Sequence, residues 1–388
     1  MHDHNHEHKS DCPKRPDWLA GPSIEPLQLD GNEAVADMID NVFARSGFNA
    51  RRLAEGARLY ARMLEADATV ALTIAGAMTP IGMSGVFCTL IERGLVDFII
   101  STGANLFHDL QRPFDVPMVQ GSADADDNVL EEDGVARIYD VFIPNDDMLT
   151  GADSVIHDAL SRMDCSVPFS TARYHKSLGD VVWETAPHPE KSFVAAAAKY
   201  DVPIYTSSPG DSAIGMNLMI PQLLGRNVPL NPMLDVIETA AIVGDAKQNG
   251  VVEIGGGSPK NFYLQTQPTL HQMLLDKTKG GHDYCLQLTT DSPHWGGLSG
   301  ATFSEAKSWG KVRDAHINNV VVYSCASITF PMIAQYALAR VKTRSHRRVH
   351  RRLDEMVDSL RGAARNCEAL REEHPELFEE ACEGAGKA

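Results

Sequence analysis

Two strand–turn–helix units, one directly after the other, constrain the fold of this chain of 388 residues most strongly. The β-branched run Thr69–Ile74 leads into a turn of small residues, Ala75–Gly85, and a helical stretch to Arg93 follows. A second apolar run, Leu95–Ile100, ends in the polar turn Ser101–Asn105. This spacing predicts βαβ units with parallel strands and a right-handed crossover. The first turn would also present backbone N–H groups to an anion, but without a GxGxxG motif it favours a nucleotide site only weakly.

The remaining apolar runs extend this α/β pattern along the chain. Further strands are predicted at Val202–Thr206, Val251–Ile254, His282–Leu288 and Val320–Tyr323. Helices are predicted within residues 33–66 and 151–200, and at Asp235–Lys247 and Ser327–Ala339. The predicted fold class is therefore α/β, a Rossmann-like, largely parallel sheet with helices on both faces and peripheral helices at both termini. Residues 111–150 show little periodicity and are predicted to form a solvated loop or excursion.

Composition predicts three segments. Residues 1–20 form a His-rich tail, which we interpret as disordered rather than as a metal site because alternating histidines without a scaffold lack a fixed geometry. Residues 21–340 are predicted to form a single domain that carries the α/β pattern. Residues 341–388 form a charged helical extension, with a basic run at Arg344–Arg352. The acids that follow this run favour a solvated or subunit-contacting helix over a nucleic-acid patch.

The net charge, the cysteine content and the length of the apolar runs indicate which kinds of partner and which cellular compartment to expect. The net charge is −17, from 52 acidic and 35 basic residues, which argues against a nucleic-acid partner and is compatible with a cationic substrate. Seven cysteines without a CxxC pair indicate reduced thiols in a cytoplasmic protein. No apolar run approaches the length of a membrane span, so no membrane partner is expected.

Two short segments are candidates for chemistry. Gly255, Gly256 and Gly257 follow a predicted strand directly, and three consecutive glycines allow a ligand to approach the backbone very closely. Further along, Lys311 follows a Trp-Gly pair, where a helix is expected to give way to irregular backbone. A desolvated lysine loses part of its proton affinity, and a neutral amine attacks a carbonyl or an imine. From these letters alone, a surface lysine beside a core tryptophan remains the commoner interpretation.

Residues 305–311 read Glu-Ala-x-Ser-Trp-Gly-Lys, which resembles the catalytic segment of the deoxyhypusine synthase family. The resemblance is collinear over roughly residues 35–340 and includes Gly-Gly-Gly-x-x-Lys at residues 255–260. In that family the lysine after Trp-Gly carries a covalent aminobutyl imine. The resemblance therefore implies that Lys311 is the catalytic lysine, with Glu305 as a retained acid and Trp309 as a shield against water.

The resemblance also implies a cofactor and its binding residues. It places NAD at the turns that follow the strands, carried here by Thr79, Ser84, Gly85, Thr102, Gly103, Ala104, Asp211, Gly256, Gly257, Thr290 and Ala326. It implies polyamine contacts from Lys260, Asn261, Glu305 and Trp309, and no metal. It further implies a homotetramer with active sites between paired subunits.

Several family residues are replaced in this chain. The histidine that supports proton transfer is Asn261, which cannot titrate, so another group or water must move the proton. Positions that hold acids in the family carry apolar or neutral residues here, namely Met216, Trp295, Leu298, Cys325 and the pair Phe107-His108. These departures favour a divergent, bacterial-type branch that resembles homospermidine-forming enzymes and uses a small amine acceptor.

The resemblance implies redox-neutral transfer of an aminobutyl group from spermidine or putrescine to an amine, through an imine on Lys311. Two alternatives remain open from the sequence. One is deoxyhypusine synthase itself, which modifies a lysine of a translation initiation factor. The other is a non-catalytic NAD-binding homologue, because the replaced acids and histidine are compatible with lost activity.

Overall fold

The computed structural model describes residues 19–21, 23, 26, 29, 31, 33–276 and 278–378. The predicted His-rich tail therefore lies outside the described residues, apart from its last two positions. Helices lie at α1 Glu33–Asn41, α2 Phe48–Glu65, α3 Ser84–Glu92, α4 Gly103–Asp109, α5 Asp127–Glu132, α6 Asn145–Ser161, α7 Thr171–Thr185, α8 Phe193–Tyr200, α9 Ala213–Leu223, α10 Pro232–Asp245, α11 Gly257–Pro268, α12 Phe303–Ser308, α13 Ala326–Arg340, α14 Val349–Arg365 and α15 Glu368–Glu373. Strands lie at β1 Thr69–Ile74, β2 Phe98–Ser101, β3 Val119–Gln120, β4 Val135–Ile138, β5 Val141–Pro144, β6 Ile204–Tyr205, β7 Asn249–Ile254, β8 Tyr284–Thr289 and β9 Asn319–Tyr323.

Six of these strands form one parallel sheet in the order β6-β2-β1-β7-β8-β9. Numbered by their sequence within the sheet, the strands run 3-2-1-4-5-6, which is the order of doubly wound dinucleotide-binding folds. The α/β prediction is confirmed, including the parallel pairing of the first two units. The second strand begins at Phe98 rather than Leu95, and Leu95 and Val96 are buried in the preceding connection.

Alternation along each strand divides the core into two layers, one on each face of the sheet. On β1, Val70 and Leu72 face the layer that contains α2, α3, α8 and α13, while Ala71 faces the layer of α10, α11, α12 and α14. Strands β7 and β8 repeat the pattern, because Val252 and Leu286 join the first layer. Buried parallel strands read as near-continuous apolar runs for this reason.

The prediction of a solvated loop at residues 111–150 is wrong. This segment contains a second, antiparallel sheet in the order β3-β5-β4, together with α5 and the beginning of α6. Met118, Val141 and Ile143 form a small apolar cluster of their own beneath the sheet. The abundant acids hid this signal because they lie in turns and in α5, while the short strands carry few residues each.

The described part of the C-terminal extension contains α14 and α15, and α14 packs against α10 in the second core layer. Val349, Leu353, Met356 and Val357 of α14 are buried there. The arginines of the basic run pair with acids of this chain: Arg344 with Asp67 and Asp97, Arg347 with Asp67, Arg348 and Arg351 with Asp201, and Arg352 with Asp245. The run therefore fastens α14 to the sheet domain and does not form a free basic surface.

None of the helices described here is both long enough and apolar enough to cross a bilayer.

Because α14 is packed into the core, truncating one of its buried side chains should destabilise the domain. Leu353 is 1% exposed, so Leu353→Ala leaves a cavity and should lower the free energy of unfolding by about 2–5 kcal/mol. Arg361→Ala, on the exposed side of the same helix, should change it by less than about 0.5 kcal/mol. Urea unfolding monitored by circular dichroism measures both. A small effect of Leu353→Ala, or a separate unfolding step for α14, would contradict this packing.

A lysine site beside the sheet crevice

The carboxyl ends of the six parallel strands meet at one edge, and the strand order reverses between β1 and β7. At that point the first turn and the glycine triplet lie side by side, since Ala75 N donates to Ile254 O at 3.1 Å. A Cβ on Gly255 would lie 3.4 Å from the Ala75 Cβ, and Gly255 adopts a φ of 75°. In open α/β sheets such a reversal opens the crevice that binds ligands.

Asn105 brings the two predicted threonines together. Its Oδ1 accepts hydrogen bonds from Met78 N at 2.8 Å and Thr79 N at 3.3 Å, while its Nδ2 donates to Thr102 Oγ1 at 3.0 Å. Thr79 Oγ1 donates in turn to Asn105 O at 2.9 Å. Asn105 is fully buried, and sequence reasoning treated it only as part of a polar turn. It fixes the turns after β1 and β2 to each other.

The small residues predicted for this crevice stand where side chains would collide. A Cβ on Gly103 would lie 2.4 Å from Ser212 Cβ, and one on Gly256 would lie 2.5 Å from Ser299 Cα. Gly257 N donates to Ser299 Oγ at 2.9 Å, which joins the triplet to the loop after β8. At the first turn of α3, the Ser84 hydroxyl is buried and has no hydrogen-bond partner within the described chain.

The remaining predicted cofactor residues also lie in loops or helix starts at this edge. Gly85 is buried in α3, Ala104 is exposed on α4, and Ala326 is buried at the start of α13. Asp211 and Thr290 are exposed. Sequence reasoning gave no role to Ser207 or Ser258, which meet at this edge, where Ser258 Oγ donates to Ser207 Oγ at 2.7 Å.

Lys311 lies just beyond the end of α12, as predicted. Gly310 adopts a φ of 68°, and a Cβ there would lie 2.3 Å from His271 Nε2, so only glycine fits. The Lys311 side chain is partly buried, and its Nζ donates to Asn261 Oδ1 at 2.8 Å. Burial lowers the pKa of Lys311, the charge on Lys260 lowers it further, and the carboxylate of Glu305 opposes both effects. The lysine is thus held away from bulk solvent with a weakened hold on its proton.

The shielding predicted for Trp309 is not provided within this chain. The Trp309 side chain is 62% exposed, and the centre of its ring lies 6.0 Å from Lys311 Nζ. Its carbonyl oxygen accepts from Gln272 Nε2 at 3.0 Å, which holds the backbone while the indole points outward. The physical reason is that α12 ends one residue earlier, so the indole projects from the helix terminus rather than into the core.

A cavity of about 280 Å³ opens beside Lys311 between α11 and α12. Its lining includes all the predicted substrate residues, Lys260, Asn261, Glu305 and Trp309, together with Leu264, Gln265, Leu298, Ala301, Thr302, Ala306 and Lys311. Glu305 is exposed and is the one carboxylate among these lining residues. The cavity therefore offers a single carboxylate, two lysines, and a wall that is apolar in part and carries amide and hydroxyl groups in part.

Lys260 is 1% exposed, and its Nζ donates to Gln287 Oε1 at 2.9 Å and to Ala301 O at 2.6 Å. Burial lowers the pKa of Lys260, while the carboxylate of Glu253 on β7 opposes that effect. Sequence reasoning missed both Glu253 and Gln287. The available signal was a charged residue inside the apolar strand run Val251–Ile254, where an acid needs a compensating group.

Comparison with known proteins places residues 37–337 within the family model described as deoxyhypusine synthase. A "deoxyhypusine synthase-like protein" of Nostoc punctiforme is 39% identical over 350 residues, covering 88% of this chain and 89% of that protein. A "probable deoxyhypusine synthase 2" of Methanosarcina mazei is 40% identical over 319 residues, covering 82% and 90%. The crystal structure of a candidate deoxyhypusine synthase from Entamoeba histolytica matches with a TM-score of 0.53 at 16% identity, over 79% of this chain and 94% of that one, which supports the fold alone.

The environment of Lys311 predicts an unusually acidic ammonium group. Its pKa should lie below that of an ordinary lysine, because partial burial and the nearby Lys260 both disfavour the charged form. Reductive methylation with isotopically labelled formaldehyde, followed by an NMR titration, measures this pKa, and Lys311→Arg identifies the signal. A Lys311 signal that titrates at or above the ordinary lysine value would contradict the described environment.

Proposed function

Since the chain belongs to the deoxyhypusine synthase family, we propose that it transfers an aminobutyl group from spermidine or putrescine to a small amine acceptor, giving homospermidine. The observation that carries this proposal is Lys311, whose Nζ is held by Asn261 at the mouth of a cavity with one carboxylate. Family membership gives the reaction class, an alkyl transferase acting on polyamines. The choice of acceptor depends on the site itself.

NAD is the cofactor that we propose, and the crevice fits it. The strand order, the glycines that leave no room for a Cβ, and the unpartnered Ser84 hydroxyl at the start of α3 together suit a dinucleotide. Gly256, Gly257, Thr79 and Thr102 would hold it at the switch point. When bound, NAD supplies hydride transfer to and from the carbon beside a substrate amine.

Lys311 would carry the aminobutyl group. A neutral Nζ attacks the imine carbon of the oxidised donor, the donor's amine leaves, and the carbon remains bound to the lysine through a C=N bond. Asn261 Oδ1 accepts an N–H of Lys311 without taking its proton, so it orients the amine and leaves the nitrogen lone pair free. Because Asn261 does not titrate, water or a substrate amine must carry the proton that Lys311 releases.

Water exclusion is proposed to come from assembly. Trp309, in the lysine segment, and Trp295, in the loop after β8, are exposed. Helix α9 also presents an apolar stripe to solvent, formed by Met216, Met219, Ile220, Leu223 and the adjoining Leu224. Exposed apolar areas of this kind are typical of protein–protein interfaces. They support a homotetramer in which a neighbouring subunit covers the indole. We also propose a cytoplasmic location, since the five described cysteines are unpaired.

The cavity supports a small acceptor rather than a protein lysine. Its volume of about 280 Å³ is at the small end for ligand sites, and Leu298 and Ala301 contribute an apolar wall. Glu305 offers one charge partner for an ammonium group. An aliphatic diamine matches this combination of one anchor and a methylene-lined passage.

Product analysis tests the proposal directly. Purified protein incubated with NAD and putrescine or spermidine should form homospermidine, detected by mass spectrometry. Lys311→Arg should lower the rate by at least about 10³-fold, because the covalent carrier is lost. Lys307→Arg is the matched control, since the exposed Lys307 Nζ donates only to the Arg313 carbonyl, and it should retain activity.

The alternatives give different outcomes in the same assay. Transfer of labelled aminobutyl groups from spermidine to a translation initiation factor, without homospermidine, would support deoxyhypusine synthase activity instead. NAD binding without a product from any amine pair would support a non-catalytic homologue.

The hydrogen bond to Asn261 generates a pH prediction. Asn261→Asp places a carboxylate at the acceptor position 2.8 Å from Lys311 Nζ and should raise the pKa of that lysine. Less neutral amine is then present at a given pH, so the rising limb of the pH–rate profile moves to higher pH. At pH values below the lysine pKa, the rate should fall about tenfold. Asn261→Ala should instead lower the rate about 10²-fold at every pH, because the amine loses its orientation. Identical profiles for both variants would exclude the proposed contact.

A further inference from the structure

Glu253 is a buried acid to which the proposed reaction gives no role. It lies on β7 with 0% exposure, and neither carboxylate oxygen has a hydrogen-bond partner within the described chain. Its register neighbours are Thr73 on β1 and Gln287 on β8, and all three side chains are buried. The Thr73 hydroxyl also has no hydrogen-bond partner among the described residues. Burial raises the pKa of Glu253 to about 7 and the charge on Lys260 opposes that rise, so an ionised carboxylate here depends on a compensating cation.

Lys260 is the cation that compensates it. Lys260 Nζ donates to Gln287 Oε1, and Gln287 is the residue directly beside Glu253 in the sheet. Gln287 is fixed from its other end, because its Nε2 donates to Gly255 O at 2.9 Å and to Ser299 O at 2.7 Å. These two hydrogen bonds fix the orientation of the Gln287 amide, so that its Oε1 points to Lys260. The contacts place a buried acid and a buried lysine on the two sides of one glutamine.

We propose that Glu253 is a positioning residue that keeps Lys260 charged inside the core, and that this buried charge keeps the Lys311 amine neutral. The consequence for catalysis rests on the proposed function. The electrostatic effect of Glu253 on the two lysines does not depend on it, because it needs no substrate. Glu253 itself reaches no substrate. It acts through Lys260, which lines the same cavity as Lys311.

The charges around Lys260 agree with the proposal that Glu253 acts on Lys260 and Lys260 acts on Lys311. The pKa of Lys260 is lowered by burial and raised by Glu253, with weaker support from Cys285, Glu305 and Asp291. Burial raises the pKa of the Cys285 thiol well above its usual range, so it carries no charge near neutral pH. Glu305 and Asp291 are outside the sheet and partly or fully exposed, where water screens them. Glu253 is thus the principal carboxylate acting on Lys260.

Lys311 responds to Lys260 and Glu305 with opposite signs. The Lys260 charge lowers the pKa of Lys311, and the Glu305 charge raises it. Removing the charge of Glu253 makes protonation of Lys260 less favourable, which weakens the repulsion that Lys311 feels. The Lys311 amine then holds its proton more strongly.

The NMR titration of Lys311 in the full-length protein tests the proposal. Glu253→Gln, which keeps the shape and removes the charge, should move the Lys311 midpoint to higher pH. Glu305→Gln is the control of opposite sign and should move it to lower pH. This readout needs no substrate and no turnover, so it remains decisive even if the protein transfers no aminobutyl group.

Lys260→Met identifies the route of the effect. Lys260→Met should also move the Lys311 titration midpoint to higher pH. In that background Glu253→Gln should cause no further change, because Glu253 acts on Lys311 only through Lys260 and the two effects are therefore not additive. If Glu253→Gln alone fails to fold, the apolar double variant Glu253→Met/Lys260→Met replaces the pair and should titrate like Lys260→Met.

Activity gives a second readout if homospermidine forms. The rising limb of the pH profile should follow the Lys311 midpoint, so Glu253→Gln should be about threefold slower at the pH where the wild type reaches half its maximal rate. Its rate at high pH should approach that of the wild type. An unmoved or lowered Lys311 midpoint in folded Glu253→Gln, or an equal loss of rate at all pH values, would overturn the proposal.

Discussion

The hydrogen bond from Lys311 Nζ to Asn261 Oδ1 joins the two parts on which the site depends. Lys311 follows α12, whereas Asn261 lies on α11, four residues after the last glycine of the triplet. The bond therefore connects the candidate nucleophile with the edge of the crevice that suits a dinucleotide. Backbone hydrogen bonds from His282 N to Lys311 O and from Lys311 N to Ala306 O hold the segment itself, and the Asn261 contact fixes where the amine points. The conformation of Gly310 and the packing of α12 serve to hold this one contact.

Buried residues of the sheet and of α11 supply part of the charge around Lys311. Three positions that the family resemblance expects to be acidic hold Met216, Trp295 and Leu298 here; all three are exposed, and Leu298 lines the cavity. A buried acid is present instead at Glu253, next to a buried lysine. Burial in a medium of low dielectric makes each charge act more strongly on its neighbours than at the surface. The buried charge of Lys260 therefore acts on the protonation of Lys311 together with partial burial, while the exposed Glu305 acts with the opposite sign.

The sequence predicted what depends on local patterns. The parallel strands β1 and β2, the glycine triplet and the irregular backbone at Lys311 all follow from periodicity or from glycine positions. It did not predict what depends on tertiary packing. The sheet within residues 111–150 is formed by strands too short to show a period, and the exposure of Trp309 depends on where α12 ends. The neighbours of Glu253 could not be read from the sequence, because they come from two other strands and a helix. The roles of the individual cofactor residues remain predictions.

The central claim is that one partly buried lysine carries a carbon fragment between two amines. Borohydride reduction during turnover with NAD and labelled spermidine, followed by peptide mass spectrometry, tests it most directly. The account predicts a reduced aminobutyl adduct on the peptide that contains Lys311, and its absence from Lys311→Arg protein. Label found on Lys260 or Lys307 instead, or no adduct while product accumulates, would contradict it.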